Sequence, residues 1–337
     1  MKAIIQQGYG SPGKVLSLQE VDAPTIKPDE VLVEVRATSV HADVWHVVYG
    51  WPYALRFMGA GAFGPKYAIP GTDLAGVVAA VGESVSNFKP GDAVFGDSSR
   101  RMQWSNNGAW AEYAAVPAEV LMHKPALVGF EQAASVPTAG YIAAINLDWE
   151  QRVKPGCKVL INGASGGVGT IALQLAKAHG AEVTAVASAG KFDLLQNLGA
   201  DHLVDYRQQD VTRSGQVFDV VYDVASNLTF SKSKRILAPD GIYIIIGHNH
   251  YGRAGGRVFG TLPSFFGLMA RAMFDKRLPK VEFSMPAKAK VMQKLAYLLE
   301  SGALTPQVDR SYPLAEAADA LEYLVSGKAC GKILLVP

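Results

Sequence analysis

The sequence predicts an α/β protein in which a β-rich first part precedes a doubly wound parallel sheet, and three observations lead to this prediction. Through about the first 125 residues the apolar runs are short and end at proline or glycine, as in strands joined by turns. From about Gly129 onward, strand-like and helix-like segments alternate, which favours parallel strands joined by crossover helices. A glycine-rich stretch, Asn162–Gly169, joins an apolar run to a helix-like run.

Length and composition favour two domains in a reduced compartment. The chain has 337 residues, a length that exceeds what one typical hydrophobic core holds. Its composition, 49% hydrophobic and 18% charged, is that of a globular protein. A net charge of +2 gives no electrostatic case for nucleic acid. Cys157 and Cys330 are too few for a disulfide framework. We see no signal peptide and no run of about 18 apolar residues, so we expect a cytoplasmic protein without a membrane span.

Hydrophobic patterns also place individual elements. Alternating valines from Val31 to Val35 predict a strand. Pro90-Gly91 predicts a turn between the strand-like runs Val77–Val81 and Ala93–Phe95. Gly302 and Gly327 are predicted to end two helices, and Gly331–Val336 is predicted to be a last strand. The predicted strands of the second part are Val159–Ile161, Glu182–Ala187, His202–Val204, Asp219–Tyr222 and Gly241–Ile246.

The glycine-rich stretch has the pattern of a dinucleotide-binding turn with alanine in place of the first glycine. Such a turn lets the backbone approach a pyrophosphate and lets the helix pack closely on its strand. The helix N-terminus then offers N–H groups and a partial positive charge to the phosphates. A purely structural turn is the alternative. The predicted cofactor-binding residues here are Ala164, Ser165, Gly166, Gly167, Val168 and Gly169.

The end of the next predicted strand favours NADPH over NADH. An NAD site usually places an acidic residue there to hold the ribose 2′-hydroxyl. Ser188 and Lys191 follow this strand instead, and the first acid is Asp193, inside the following helix. A hydroxyl and an ammonium suit a 2′-phosphate, and Tyr206 after the following strand is a third predicted contact. The alternative is that Lys191 is a solvated lysine at a helix start.

Five motifs together resemble the medium-chain dehydrogenase/reductase superfamily over nearly the whole chain. They are Gly71–Val78 (GTDLAGVV), Lys89–Asp92 (KPGD), the glycine turn, Leu198–Asp201 (LGAD) and the ending Gly331–Val336. The resemblance implies a GroES-like β-barrel catalytic domain, a Rossmann cofactor domain and a tail that returns to the first domain. We expect these parts at residues 1–125, 126–280 and 281–337.

The zinc ligands of this superfamily have no counterparts in the sequence. Zinc-dependent members carry histidine at the position of Thr72 and cysteines at those of Val40 and Thr138. Valine and threonine do not replace imidazole and thiolate on zinc, and two cysteines exclude the four-cysteine structural lobe. We therefore expect no metal. Zinc-free members resemble quinone oxidoreductases and enone reductases, which reduce conjugated acceptors with NADPH.

The resemblance also suggests which residues meet the nicotinamide, which in related reductases lies in the cleft between the domains. Asp43 and Thr138 are predicted to position the ring. Tyr49 and Tyr53 are predicted to donate to a substrate oxygen, although ordinary buried tyrosines are an equal alternative. His41 either touches the cofactor or fills a loop. Thus Tyr49, Tyr53 and Asp43 are the predicted catalytic residues, and His41 and Thr138 are predicted to bind cofactor.

The two histidines of His248-Asn249-His250 resemble a metal-binding pair, but no cysteine or acid lies close to them in sequence. We therefore interpret His248 as structural or cofactor-lining. Gly247 is predicted to let the backbone approach the nicotinamide.

Two apolar segments are candidate walls of the substrate site. Trp51–Ile69 is long and glycine-rich, and Arg253–Lys280 contains an apolar stripe at helical spacing. The stripe has four alternatives: intrachain core, dimer contact, a lid on a pocket, or a membrane contact. Its members are Leu262, Phe265, Phe266, Met269 and Met273.

The resulting hypothesis is a zinc-independent, NADPH-dependent reductase of apolar quinones or α,β-unsaturated carbonyl compounds, expected to be a homodimer without nucleic-acid or membrane partners. One rival is an NADPH-binding protein with a structural or membrane-associated role and little turnover, like the lens zeta-crystallin branch. The other is an alcohol dehydrogenase acting on simple alcohols or ketones.

Overall fold

The chain folds as two units, each with its own large sheet, in a computed structural model that describes residues 1–99, 108–148, 152–246, 256–279 and 286–337. The first unit contains Met1–Tyr141 and Ala287–Pro337, and the second contains Ile142–Pro286. The predicted fold class is confirmed, because one unit is dominated by antiparallel strands and the other by a parallel sheet with helices.

The strands of the described residues, in chain order, are β1 (Lys2–Gln6), β2 (Leu16–Glu20), β3 (Glu30–Val40), β4 (Asp73–Val81), β5 (Ala93–Asp97), β6 (Tyr113–Pro117), β7 (Leu121–His123), β8 (Lys158–Asn162), β9 (Glu182–Ala187), β10 (His202–Asp205), β11 (Phe218–Asp223), β12 (Leu237–Ile245), β13 (Val308–Pro313) and β14 (Lys332–Val336).

The α-helices of the same residues are α1 (Pro12–Val15), α2 (Ala42–Tyr49), α3 (Phe130–Ala134), α4 (Pro137–Leu147), α5 (Gly167–Ala178), α6 (Phe192–Asn197), α7 (Phe230–Ser233), α8 (Leu262–Ala272), α9 (Lys288–Glu300) and α10 (Ala317–Val325).

The large sheet of the first unit is built around β3. Its order is β13-β14-β3-β4-β5-β7, and β6 pairs with β3 as well. Val31, Val33 and Val35 are all buried, as their alternation predicts, because the pleat turns every second side chain to the same face. The predicted last strand is confirmed as β14, which pairs antiparallel with the end of β3.

The sheet of the second unit is parallel throughout, in the order β10-β9-β8-β11-β12. Each of the five strands predicted for this part is confirmed, with ends shifted by up to a few residues. Val159, Leu160 and Ile161 of β8 are fully buried, as expected for a strand covered on both faces. The strand order reverses on the two sides of β8, and ligands bind at the carboxyl ends of strands at such a point.

The apolar stripe after Arg253 forms α8, but its side chains do not build the intrachain core. Phe265 is 47% exposed, Phe266 55% and Met273 79%, so the core alternative is wrong for these three residues. Helical spacing identified the helix but could not tell what its apolar face contacts. Within the described residues, none of the helices has the length and apolar character needed to cross a membrane.

The LGAD motif fastens α5 to β9 in the second unit. One carboxylate oxygen of Asp201 accepts a hydrogen bond from the Val183 N–H at 2.7 Å, and the Lys177 ammonium donates to both oxygens at 2.6 and 2.9 Å. Partial burial works to raise the pKa of Asp201, but the hydrogen bonds from Lys177 and Val183 outweigh it and hold the pKa below its usual value.

We predict that Asp201→Asn lowers the free energy of unfolding by about 1 kcal/mol at pH 7, because both side chains of the pair are about a third exposed and water screens them. A carboxyl with a depressed folded-state pKa stabilises above its unfolded pKa and loses that contribution as the pH falls. The difference from wild type in urea unfolding should therefore shrink below about pH 4. Asp193→Asn, an exposed carboxylate on α6, is the control, and an Asp201→Asn difference that persists undiminished in acid would contradict the assignment.

Candidate functional site

The turn between β8 and α5 has the form that a pyrophosphate site requires. The N–H groups of Gly163 and Ala164 both donate to the Val186 carbonyl, at 3.1 and 3.2 Å, so the turn is tied to β9. Gly163 has φ +82°, in the left-handed region that favours glycine. Gly166 precedes α5 in an extended conformation, and no side chain caps the helix. The first N–H groups of α5 therefore project from an uncapped N-terminus, as in anion sites.

Gly169 explains why the helix can lie so close to the turn. A Cβ at this position would lie 2.3 Å from the Gly163 carbonyl oxygen and 2.7 Å from the backbone of Ala164. No side chain fits there without moving the helix. At Gly166, by contrast, a Cβ would be 3.6 Å from that same oxygen, an ordinary contact. The glycine at the end of the motif thus serves helix packing, as the pattern predicts.

A second loop, residues 224–228, lies beside the turn, and sequence reasoning missed it. The N–H groups of Val224 and Ala225 donate to the carbonyl of Asn162, the last residue of β8, at 3.0 and 3.2 Å. The Asn162 amide also donates to Asp223 at 2.6 Å and to Asn227 at 2.7 Å. The loop is therefore held against the strand that leads into the glycine turn.

Asp223 is the anchor of this second loop. It is fully buried at the end of β11, and its carboxylate also accepts the N–H groups of Ser226 and Leu228 and is 3.0 Å from the Tyr243 hydroxyl. Burial raises the pKa of Asp223, and the hydrogen bonds oppose that rise. The sequence signal that could have identified this anchor is the position of Asp223, an acid directly after the apolar run Val220-Val221-Tyr222.

The three residues predicted to bind a 2′-phosphate lie at the ends of adjacent strands. Ser188 follows β9, and the Lys191 N–H donates to its carbonyl at 3.0 Å in a short 3₁₀ turn. Tyr206 follows β10, and its N–H donates at 3.3 Å to Ala187, the residue before Ser188. Parallel pairing of β9 with β10 therefore brings Tyr206 to the segment that carries Ser188 and Lys191.

Arg207 is a further cation in this region that sequence reasoning did not identify. Its guanidinium lies 5.7 Å from the centre of the Tyr206 ring, and its side chain is exposed. The carboxylate of Asp205 is engaged by the Arg207 backbone N–H at 2.9 Å. A hydroxyl, an ammonium and a guanidinium therefore occupy the ends of β9 and β10. Gly247 and His248, also predicted to bind cofactor, lie outside the described residues.

In the first unit, His41 and Asp43 stand at the junction of β3 and α2. His41 is buried, and its Nε2 lies 2.8 Å from the Thr72 hydroxyl while its Nδ1 lies 3.5 Å from the Asp43 carboxylate. The structure therefore brings the predicted site residues His41 and Asp43 together. The Thr72 hydroxyl, at the position where zinc-dependent members carry histidine, contacts the same imidazole.

The two predicted catalytic tyrosines are half-buried and make ring contacts with their neighbours. Tyr49 on α2 lies 4.7 Å from the Trp45 ring and 5.6 Å from the Trp51 ring, between centroids. Tyr53 lies under the Arg56 guanidinium at 4.4 Å. Either role proposed for them, phenol donor or ordinary packing residue, is compatible with these contacts.

The Asp73 network, which comprises Asp73, Ser39, Thr138 and Lys332, is a polar arrangement in which all four side chains are buried. One carboxylate oxygen of Asp73 accepts from the Thr138 hydroxyl at 2.5 Å and from the Thr138 N–H at 3.0 Å. The other accepts from the Ser39 hydroxyl at 2.7 Å and lies 3.6 Å from the Lys332 ammonium. Asp73 is fully buried and Lys332 is 5% exposed. Burial lowers the pKa of Lys332, and the nearby Asp73 and Asp43 oppose that change.

The residues at the three zinc-ligand positions do not fit zinc. Val40 is buried apolar surface, the Thr72 hydroxyl pairs with His41, and the Thr138 hydroxyl donates to Asp73. Among the residues that the structure describes, no cluster of three or more histidine, cysteine, aspartate or glutamate side chains is placed to hold a metal ion.

Comparison with known proteins agrees with this architecture. Residues 27–126 match the family described as alcohol dehydrogenase GroES-like domain, and residues 198–335 match the one described as zinc-binding dehydrogenase. A chloroplastic quinone-oxidoreductase QR1 of Triphysaria versicolor is 32% identical over 100% of this chain and 98% of the relative. The chloroplastic NADPH-dependent alkenal/one oxidoreductase of Arabidopsis thaliana is 30% identical over 100% of this chain and 80% of the relative.

Solved structures give the same result. The Escherichia coli quinone oxidoreductase complexed with NADPH superposes with a TM-score of 0.80 at 26% identity, covering 100% of both chains. The chain therefore belongs to the medium-chain dehydrogenase/reductase superfamily. Within it, the chain is similar to quinone oxidoreductases and is built from a GroES-like unit and a Rossmann-like cofactor unit.

We predict that Gly169→Ala lowers the free energy of unfolding by about 1–3 kcal/mol and weakens cofactor binding, because the new methyl group pushes α5 away from the turn. Urea unfolding and a fluorescence titration with NADPH measure the two effects. Gly166→Ala is the matched control for stability, since its methyl group has room. Equal stability of the two variants would show that the helix does not pack as described.

Proposed function

We propose that the chain is a zinc-independent reductase that uses NADPH to reduce quinones or α,β-unsaturated carbonyl compounds. The observation that carries the proposal is that the chain keeps the dinucleotide turn while its zinc-ligand positions hold Val40, Thr72 and Thr138, with both threonine hydroxyls engaged inside the protein. Alcohol oxidation without a metal lacks the Lewis acid that would lower the pKa of the alcohol. A conjugated acceptor is already polarised and needs positioning and a hydrogen bond to the developing oxyanion.

The choice of NADPH rests on the ends of β9 and β10. Ser188, Lys191, Tyr206 and Arg207 supply a hydroxyl, two cations and a phenol, which match the charge and the acceptor oxygens of a 2′-phosphate. NADPH appears in the names of the Arabidopsis relative and of the Escherichia coli structure. Both facts support the phosphorylated cofactor.

We assign the remaining predicted residues as follows. The turn Ala164–Gly169 and the uncapped start of α5 hold the pyrophosphate. His41, Asp43 and Thr138 position the nicotinamide, and bound NADPH supplies the hydride. Tyr49 and Tyr53 donate hydrogen bonds to the acceptor oxygen, and water supplies the proton that completes the hydroquinone or the saturated carbonyl product. The acceptor is apolar, in keeping with the exposed aromatic side chains of the Trp51–Ile69 segment, such as Phe57, whose side chain is 78% exposed.

Homodimerisation and a cytoplasmic location belong to the same proposal, as does the division of the chain into residues 1–125, 126–280 and 281–337. The exposed apolar face of α8 supports a surface that is covered in the working protein, either by a second copy or by a lid. Size-exclusion chromatography with light scattering gives the oligomeric state directly.

We predict that the purified protein oxidises NADPH with a small quinone or an enone at a rate that a chelator leaves unchanged, and that a simple ketone is a poor acceptor. The physical reason is that no metal is needed to polarise a conjugated acceptor. Activity on the ketone that disappears with chelator would favour the alcohol dehydrogenase rival. NADPH binding without turnover of any acceptor would favour the binding-protein rival.

We predict that Lys191→Ala and Arg207→Ala each raise the KM for NADPH by about tenfold or more and leave the KM for NADH unchanged, because each variant removes one charge-assisted contact to the 2′-phosphate. Steady-state kinetics with both cofactors measures the split. Lys232→Ala, an exposed lysine on α7, is the control. A loss shared equally by NADPH and NADH would refute the 2′-phosphate assignment.

A further inference from the structure

The Asp73 network ties together four segments that are distant in sequence. Asp73 begins β4, Ser39 lies near the end of β3, Lys332 begins β14 and Thr138 lies in the first turn of α4. The main-chain carbonyl of Asp73 also accepts from the Thr38 hydroxyl at 2.6 Å. A carboxylate that is fully buried among so many donors is held in one orientation, since any rotation would leave buried polar groups unpaired.

This orientation determines what Thr138 can do. The hydroxyl hydrogen of Thr138 points to the Asp73 carboxylate at 2.5 Å, and the Thr138 N–H points to the same oxygen at 3.0 Å. A hydroxyl has one hydrogen and two lone pairs. With its hydrogen donated to Asp73, Thr138 acts only as an acceptor toward any other group.

Lys332 provides the positive charge that a buried carboxylate needs. Its ammonium lies 3.6 Å from Asp73, and it is the only cation among the groups of the described residues that directly contact this carboxylate. A single buried charge is far more costly than a paired one. The ion pair of Asp73 and Lys332 is linked to Thr138, because Thr138 and Lys332 contact the same carboxylate.

We propose that Asp73 is a positioning residue, with Lys332 as its charge partner, that fixes the Thr138 hydroxyl as the acceptor for the carboxamide N–H of bound NADPH. This inference rests on the proposed function, because that proposal assigns Thr138 to the nicotinamide. It goes further in stating which hydrogen-bond role Thr138 has and which residue imposes that role.

A cofactor analogue tests the role directly. In the reduced 3-acetylpyridine analogue of NADPH a methyl group replaces the amino group of the carboxamide, so the N–H donor is lost. We expect wild type to bind NADPH about tenfold more tightly than this analogue, which corresponds to one hydrogen bond. Binding is read from cofactor fluorescence, which needs no acceptor and no turnover.

Two double variants separate the acceptor from the charge. The first, Asp73→Leu with Lys332→Met, removes both charges and also the acceptor for the Thr138 hydroxyl, and we call it the acceptor-free double variant. The second, Asp73→Asn with Lys332→Met, removes the same charges but keeps an amide oxygen that can accept from Thr138, and we call it the amide double variant. Among single variants, Thr138→Val removes the hydroxyl and Thr138→Ser keeps it.

The ratio of the two dissociation constants, analogue over NADPH, should fall to about one in Thr138→Val and in the acceptor-free double variant. It should stay near the wild-type value in Thr138→Ser and in the amide double variant. Adding Thr138→Val to the acceptor-free double variant should cause no further loss of discrimination, because Asp73 acts through Thr138. Adding Thr138→Val to the acceptor-free double variant should also raise its urea unfolding midpoint, because this change removes a buried hydroxyl that has lost its acceptor.

Wild-type discrimination near onefold, or full discrimination in Thr138→Val, would overturn the inference, as would independent and additive losses from the Asp73 and Thr138 changes. If the acceptor-free double variant does not fold, the comparison of Thr138→Val with Thr138→Ser and with the amide double variant still decides the role of the hydroxyl. Failure of quinone or enone turnover in wild type, with cofactor discrimination intact, would overturn the proposed activity but not the positioning role.

Discussion

The cofactor unit depends on the parallel pairing of β8 with β9 on one side and with β11 on the other. Parallel neighbours end at the same edge of a sheet, about 4.8 Å apart, so the segments that follow them are brought side by side. The carbonyls of Asn162 and Val186 at this edge take the N–H groups of the 224–228 loop and of the glycine turn. Buried backbone groups must find partners. The shape of the glycine turn is therefore set by the neighbouring strands as much as by its own glycines.

In the first unit the corresponding constraint is a buried charge rather than a strand edge. Asp73 and Lys332 are both withdrawn from water, and the cost of removing two charges from water is met only when geometry and hydrogen bonding are both good. The Asp73 carboxylate meets this requirement, because it accepts three hydrogen bonds in addition to its contact with the Lys332 ammonium. A buried pair is by itself weak evidence for net stability, and this one joins β4 to β14.

Several features of the site were predictable from the sequence and several were not. The glycine turn, Ser188, Lys191 and Tyr206 follow from local patterns, and the structure places the last three at the ends of neighbouring strands. Asp73 follows Thr72, a position where the sequence departs from the zinc pattern, yet nothing local linked Asp73 to Lys332. The stripe of α8 shows the converse case. Its spacing predicted the helix, but Phe265 and Phe266 face away from the core.

The sequence by itself determined the elements and their chemistry: the strands and helices of the second unit, the turn that suits a pyrophosphate, and side chains unsuited to zinc at the three ligand positions. These follow from periodicity and residue type, which act over a few neighbouring residues. Only the tertiary structure decided that Lys332 is the charge partner of Asp73, that Asp223 anchors a second loop beside the turn, and that Arg207 lies beside Tyr206 at the end of β10. The physical reason is that hydrogen bonds and ion pairs between distant segments depend on strand order and burial, which local patterns do not encode.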